Sequence, residues 1–356
     1  MNRRKMKEDE RPQKKQVVIV AMTSQLLLDI TGPADVFTTA DKCLQALGTA
    51  HGYDVMIVAP TADKKVISET GLAFSCKLCA MDIHTPIDTL VIAGNDYWEG
   101  NETVFEPFYT WLSGINEKNT RRITSVCAGA FSLAKVGLLD GRKATTHWNL
   151  SEQLKKHYPR IDVDANAFFI HDGPIYTSAG VSSGIDLALA LVEEDFGKDI
   201  AIKVARHLVY YLSRPGFQAQ FGSLLPLYEN SNIGQKLQHW LSDHLQEPVD
   251  VGKIAAHFNM SVRNLTRVLQ KQTGMPPAKF IEKLRVEKAR KLLENTDLSL
   301  ERIAEQSGLG NLISMRRVFL RHLMTTPSDY RRAFRTSLNT PEIKELLPIK
   351  SWDSFN

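Results

Sequence analysis

Cysteine is scarce: the 356-residue chain has four, two of them in Cys76-Lys77-Leu78-Cys79. So few exclude a disulfide scaffold and fit a reducing compartment. A closed zinc site needs four ligands, and one CxxC with only His84 nearby does not supply them; no metal and no cofactor are expected. Long apolar runs are lacking as well. None approaches the roughly 18 residues that a membrane span requires. The basic residues 1–15 lead into one strand's length, 16–22, without the apolar segment and small-residue cleavage site of a secretory signal. A cytoplasmic protein with no membrane partner is expected. The chain also lacks a dominant charge, since 44 Lys and Arg against 40 Asp and Glu leave +4, which by itself points to no partner. Length excludes a single small module: about 150 residues per domain predicts two to three.

The near-neutral total divides unevenly. Residues 1–15 carry +4, residues 16–225 carry −6 and residues 226–356 carry +6. Within 251–335, 17 basic residues stand against 7 acidic ones, net +10. This predicts an acidic globular region beside a basic, polyanion-binding one.

QVVIVAM (16–22), YDVMIVA (53–59), DTLVIAG (88–94), RITSVCAG (122–129) and PIYTSAG (174–180) are apolar, β-branched runs. Strands of a parallel sheet have this character when helices cover both faces. The first two-thirds therefore reads as an α/β domain with helices over 32–47, 104–116, 131–139 and 183–196. Ligands of such sheets sit at the carboxyl ends of the strands.

The informative spot is Ser125-Val126-Cys127-Ala128-Gly129, followed by FSLAKVGLL. A strand ending in cysteine, then small residues opening a helix, predicts a nucleophile elbow. Cys127 would stand above the sheet beside helix N–H groups that favour a thiolate or a bound anion. His147, in ATTHW, closes another short β-like run and is the candidate base. Asp29, in LLLDITGPADVF just before a Gly-Pro helix start, is the candidate carboxylate. Tyr97 and Trp98 follow DTLVIAG, and Trp148 follows His147; aromatic faces above a pocket suit an ammonium ligand.

LLLDITGPADVF, SVCAGAFSLAKVGLLDGRKATTHW and TSAGVSSGIDLALALVEEDFG resemble the PfpI/ThiJ branch of the class I glutamine-amidotransferase-like superfamily over about residues 16–220. More narrowly they resemble its GlxA-type members, which are fused to a DNA-binding domain. The resemblance implies a flavodoxin-like, mostly parallel sheet. In the enzymes of this superfamily a reactive cysteine works with an acidic residue and often a histidine, which fall here on Cys127, Asp29 and His147. Asp occupies the acidic position where many relatives carry Glu, as in an isocyanide-hydratase-like branch. In the regulator branch the pocket recognises a metabolite without turnover. No catalysis is therefore expected, and Asp29, Cys127, His147, Trp98 and Trp148 are the expected ligand contacts. Relatives that respond to amino acids or betaine-like compounds imply a small nitrogenous effector.

Residues 214–232, RPGFQAQFGSLLPLYENSN, mix Gly, Pro and Asn. Beyond them the period is helical and the text repeats. Ile254-Ala255 returns 49 residues later as Ile303-Ala304, and Pro277 with Phe280 returns 50 later as Pro327 with Tyr330. Two copies of one helical unit are implied. In the first, VGKIAAHF, a turn at Asn259-Met260-Ser261 with Ser261 as N-cap, and VRNLTRVLQKQTG form a helix-turn-helix. Its second helix exposes Arg263, Asn264, Thr266, Arg267, Gln270 and Lys271 to base edges and phosphates. In the second, LERIAEQSG, a turn at Leu309-Gly310-Asn311 and LISMRRVFLRHL expose Arg316, Arg317 and Arg321. FIEKLRVEKARKLLENT (280–296) is the helix that spaces the two.

With RVEKARKLLE and TTPSDYRRAF, this pattern resembles the AraC/XylS family over about residues 234–335. By position its base contacts fall on Arg263, Thr266 and Arg267, and on Leu312, Ile313, Arg316 and Arg317. The two apolar residues suggest thymine-methyl contacts or packing. Met324 replaces the Gly usual before the T-x-P turn, which implies a tighter or strained helix end. The chain reads as a basic disordered tail (1–15), a sensing domain (16–220), a linker (221–233), an all-α domain with two helix-turn-helix units (234–335) and a C-terminal tail (336–356). The resemblance implies a ligand-responsive, sequence-specific transcriptional activator, a homodimer whose partners are double-stranded promoter DNA, a small-molecule effector and RNA polymerase. The alternatives are a Cys-dependent hydrolase or hydratase with a DNA-binding tail, and a redox sensor using Cys127.

Overall fold

A computed structural model describes residues 14–84, 86–94, 102–210, 233–245 and 251–334. Most of the expected N-terminal tail, the linker up to 232, the C-terminal tail, and Tyr97 and Trp98 lie outside the described residues. Contacts divide the chain after Arg214 into two units.

In chain order the first unit runs β1 (Lys15–Val20), α1 (Leu28–Ala46), β2 (Tyr53–Val58), β3 (Lys65–Ile67), β4 (Ala73–Ser75), β5 (Ile87–Ile92), α2 (Glu102–Ser113), β6 (Thr120–Val126), α3 (Gly129–Lys135), β7 (Lys143–Ala144), α4 (Ser151–His157), β8 (Asp162–Val163), β9 (Phe169–Asp172), β10 (Ile175–Ser178), α5 (Ser183–Phe196) and α6 (Lys198–His207). Six strands form one sheet in the order β2-β1-β5-β6-β10-β9. All neighbours are parallel except β9, which runs antiparallel to β10. The pleat explains the unbroken apolar runs. Val17 and Ile19 enter one core with α1, α5 and α6, while Val18 and Val20 enter the other with α2, α3 and α4. Both faces of β1 are therefore buried. The strand order reverses between β1 and β5, the switch point where open sheets hold ligands.

Three local expectations are corrected. Lys14 and Lys15 do not belong to a disordered tail: Lys14 pairs with Asp41 at 2.7 Å, and Lys15 opens β1 and reaches Asp195 at 3.3 Å. Helix α1 begins before Gly32-Pro33, so Asp29 lies in its first turn. Its helical bonds start at the Leu26 and Leu27 carbonyls, and Gly32 serves close packing, since a Cβ there would lie 2.9 Å from Ile185. Helix α3 ends at Lys135 because Gly137, at φ +78, turns the chain back.

The second unit consists of α7 (Ile233–His244), α8 (Val251–His257), α9 (Val262–Thr273), α10 (Pro277–Asn295), α11 (Leu300–Gln306), α12 (Leu312–Leu323) and α13 (Pro327–Phe334). It has two cores, one per copy. Phe280, Ile281 and Leu284 of α10 join Ile254, Leu265 and Leu269 in the first. Val286, Ala289 and Leu293 of the same helix join Ile303, Met315 and Phe319 in the second. One helix thus anchors both helix-turn-helix copies.

Candidate functional site

Cys127 directly follows β6 at φ +57, a left-handed conformation that a non-glycine residue keeps only when its surroundings impose it. Its N–H donates to the Ser178 carbonyl at 3.1 Å, and its carbonyl accepts from Thr146 Oγ1 at 2.8 Å. Two glycines make room for the elbow. A Cβ at Gly180 would lie 2.7 Å from Cys127 Sγ, and one at Gly94 would lie 2.8 Å from Asp29 Oδ2.

A cavity of about 320 Å³ opens here, with Gln25, Asp29, Glu69, Cys127 and His147 in its lining. The three candidate residues from β1–α1, β6–α3 and the loop after β7 therefore meet. Trp148 is 39% exposed and lies 5.4 Å, centroid to centroid, from the His147 ring; it does not line the cavity.

Asp29 accepts the Val181 N–H at 2.7 Å. Burial nevertheless raises its carboxyl to about 6, against the pull of Val181, the Cys127 thiol and Gly94. Burial, and then the Asp29 charge, push the Cys127 thiol up to about 12, opposed by the Ala128 N–H. Burial also lowers His147, which favours the neutral imidazole. Activated thiols need a positive surrounding; this one faces a carboxylate, and its hydrogen-bond partner is Asp29 rather than His147.

Gln25 and Glu69 carry no sequence motif. Gln25 and Glu69 meet because the β3–β4 hairpin binds the loop after β1: the Ser24 N–H donates to Ile67 at 2.8 Å, and the Glu69 N–H to Gln25 at 3.0 Å. Cys76 and Cys79 are free thiols, and burial raises Cys76.

In the second unit, Ser261 caps α9 by accepting the Asn264 N–H, and Asn311 caps α12 by accepting that of Ser314. Such caps satisfy N–H groups that the first helical turn leaves unpaired. Arg263, Arg267, Arg316 and Arg317 are exposed, whereas Asn264 and Thr266 are half-buried. Arg267 Nη2 donates to Asn264 Oδ1 at 3.0 Å, and the Thr266 hydroxyl to the Val262 carbonyl at 2.8 Å. Ile313 is 72% exposed and Leu312 half-buried. Arg321 turns to the linking helix, pairing with Glu282 at 3.1 Å beside His322.

The sequence pattern of the DJ-1/PfpI family matches residues 14–194, and that of a helix-turn-helix domain matches residues 254–333. The chain is 30% identical to the HTH-type transcriptional regulator CdhR of Pseudomonas aeruginosa over 73% of each chain. It is 29% identical to the HTH-type transcriptional regulator GbdR of the same species, over 64% of this chain and 61% of that one. With the HTH-type transcriptional regulator GlxA of Rhizobium meliloti it shares 26% over 83% of this chain and 91% of that one.

Proposed function

Because the chain belongs to the DJ-1/PfpI family and carries a helix-turn-helix domain after that region, we propose that it is a ligand-responsive, sequence-specific DNA-binding transcriptional regulator. The observation that carries this reading is the pair of capped helices, α9 and α12, each turning arginines outward over its own core. Arg263, Arg267, Arg316 and Arg317 contact base edges and phosphates, with Thr266 and Asn264 at the margin of the first helix. Arg321 supports α12 through Glu282 and adds phosphate attraction. A small effector binds in the cavity around Asp29, Cys127 and His147, and its differential affinity for one arrangement of the DNA-binding domains carries the response. The protein acts in the cytoplasm as a homodimer and as an activator working with RNA polymerase.

A gel-shift on the promoter beside its own gene tests this reading. Binding no tighter than to random duplex at physiological salt rejects it.

The strained elbow at Cys127, with Asp29 and His147 in the same cavity, favours an enzyme. Burial of the thiol, with the neighbouring carboxylate, argues for binding without turnover, because together they favour the protonated sulfur. Thiol-reagent titration against pH, with assays of amide, isocyanide and glyoxal substrates, separates the two. A thiol with a lowered pKa and measurable turnover would establish the enzyme, and an ordinary thiol pKa with no turnover disposes of it.

A further inference from the structure

Gln25 lies in the loop between β1 and α1, is 3% exposed and lines the cavity. Its Oε1 and Nε2 are both buried without a hydrogen-bond partner. The main chain around it is committed: its carbonyl accepts the Glu69 N–H at 3.0 Å, and Ser24 before it, at φ +55, donates to Ile67 at 2.8 Å. The main chain of this cavity-lining residue is thus fixed by bonds that leave its amide uncommitted. A buried amide with neither atom paired is unfavourable, and a leucine of similar volume would avoid the cost. The terminal amide torsion is broad, so the group can turn both atoms toward a bound molecule.

We propose that Gln25 is the hydrogen-bonding reader of the effector, taking an N–H of the ligand at Oε1 and donating through Nε2 to an oxygen of the same ligand. Glu69, exposed at the opposite end of the hairpin contact, balances the positive charge. The ligand class is a small protonated amine that carries an oxygen acceptor. A quaternary ammonium has the charge but no N–H, and would leave Oε1 unpaired. The term effector rests on the regulator reading; the chemistry concerns the cavity alone.

The test titrates the full-length chain with glycine methyl ester and methyl 4-aminobutanoate, whose only N–H groups are on the amine, and with the trimethylammonium counterpart of each, by thermal shift and calorimetry. Both free amines should raise Tm and the trimethyl forms should not. Gln25→Leu should weaken amine binding about tenfold or more, while the ligand-free Tm stays level or rises. Glu69→Gln should weaken it about threefold. Equal binding of the trimethyl forms, unchanged binding in Gln25→Leu, or no shift with either amine at about 50 mM overturns the assignment. So does a lower ligand-free Tm in Gln25→Leu, which would make the amide part of the scaffold. Operator binding is measured in parallel: if the wild-type chain does not prefer its promoter, the regulator reading fails while the amine chemistry is still decided by Gln25→Leu.

Discussion

The cavity of the first unit and the reading helices of the second treat polar groups in opposite ways. Asp29 is 2% exposed and Gln25 3% exposed, and beside them the Cys127 thiol is held protonated by burial and a neighbouring charge. In α9 and α12 the buried residues are apolar except for Thr273, among them Leu265, Leu269, Met315 and Phe319, and the guanidinium groups face water. A desolvated group gains much from a ligand that pairs it, which suits sensing. A solvated cation costs little to maintain and stays available to a phosphate or a base edge, which suits reading.

The two helix-turn-helix copies sharpen the contrast. Ser261 and Asn311 cap equivalent helices, and Gly274 and Met324 end them in the left-handed conformation, at φ +69 and +53. The repeat shift changes from 49 to 50 because the second turn, between Gln306 and Leu312, is one residue longer than the first, between His257 and Val262. The copies differ where Phe280 gives way to Tyr330. The Tyr330 hydroxyl accepts from buried Arg290 at 2.9 Å and donates to Glu294, a network that a phenylalanine cannot make.

Each contrast can be broken experimentally. The largest effect belongs to Asp29. Its carboxyl shifts from 3.8 to about 6, so between those pH values the folded chain keeps a proton that the unfolded chain has lost. Stability therefore falls as pH rises through this window, by about 3 kcal/mol in full. Asp29→Asn should flatten that slope and stabilise the chain above pH 6, as urea midpoints across pH 4–8 would reveal.

Arg267→Ala and Arg317→Ala should each cost about 1–3 kcal/mol of operator binding and relax discrimination at a different segment of the site. Uniform weakening over all sequences would make either one a phosphate contact. Tyr330→Phe copies the first repeat into the second and should destabilise the chain by about 2 kcal/mol, whereas Phe280, which already lacks the hydroxyl, sets the reference. Smallest is the helix-end exchange. Met324→Gly should stabilise, and Gly274→Ala destabilise, by about 1 kcal/mol each, read as opposite shifts in thermal melting.

Much of the frame was legible in the chain. Continuous apolar runs betrayed strands buried on both faces, the small residues after Cys127 betrayed the elbow, and Ser261 betrayed a helix start, because each depends on neighbours close in sequence. Gln25 and Glu69 were not legible, since only the β3–β4 hairpin folding onto the loop after β1 joins them. Arg321 is exposed as the sequence implied, but its pairing with Glu282, across two helices, ties it to the linking helix, which the sequence did not show. Trp148 sits beside a cavity residue in sequence and outside the lining in space, because its ring lies against His147 at the surface.

Sequence alone determined the two architectures, the elbow and the doubled reading unit, because periodicity, caps and turn residues act over a few positions. Tertiary structure decided which polar groups share one cavity and which charges are spent within the fold. Those outcomes depend on desolvation and on contacts between distant segments, and neither has a local signature in the chain.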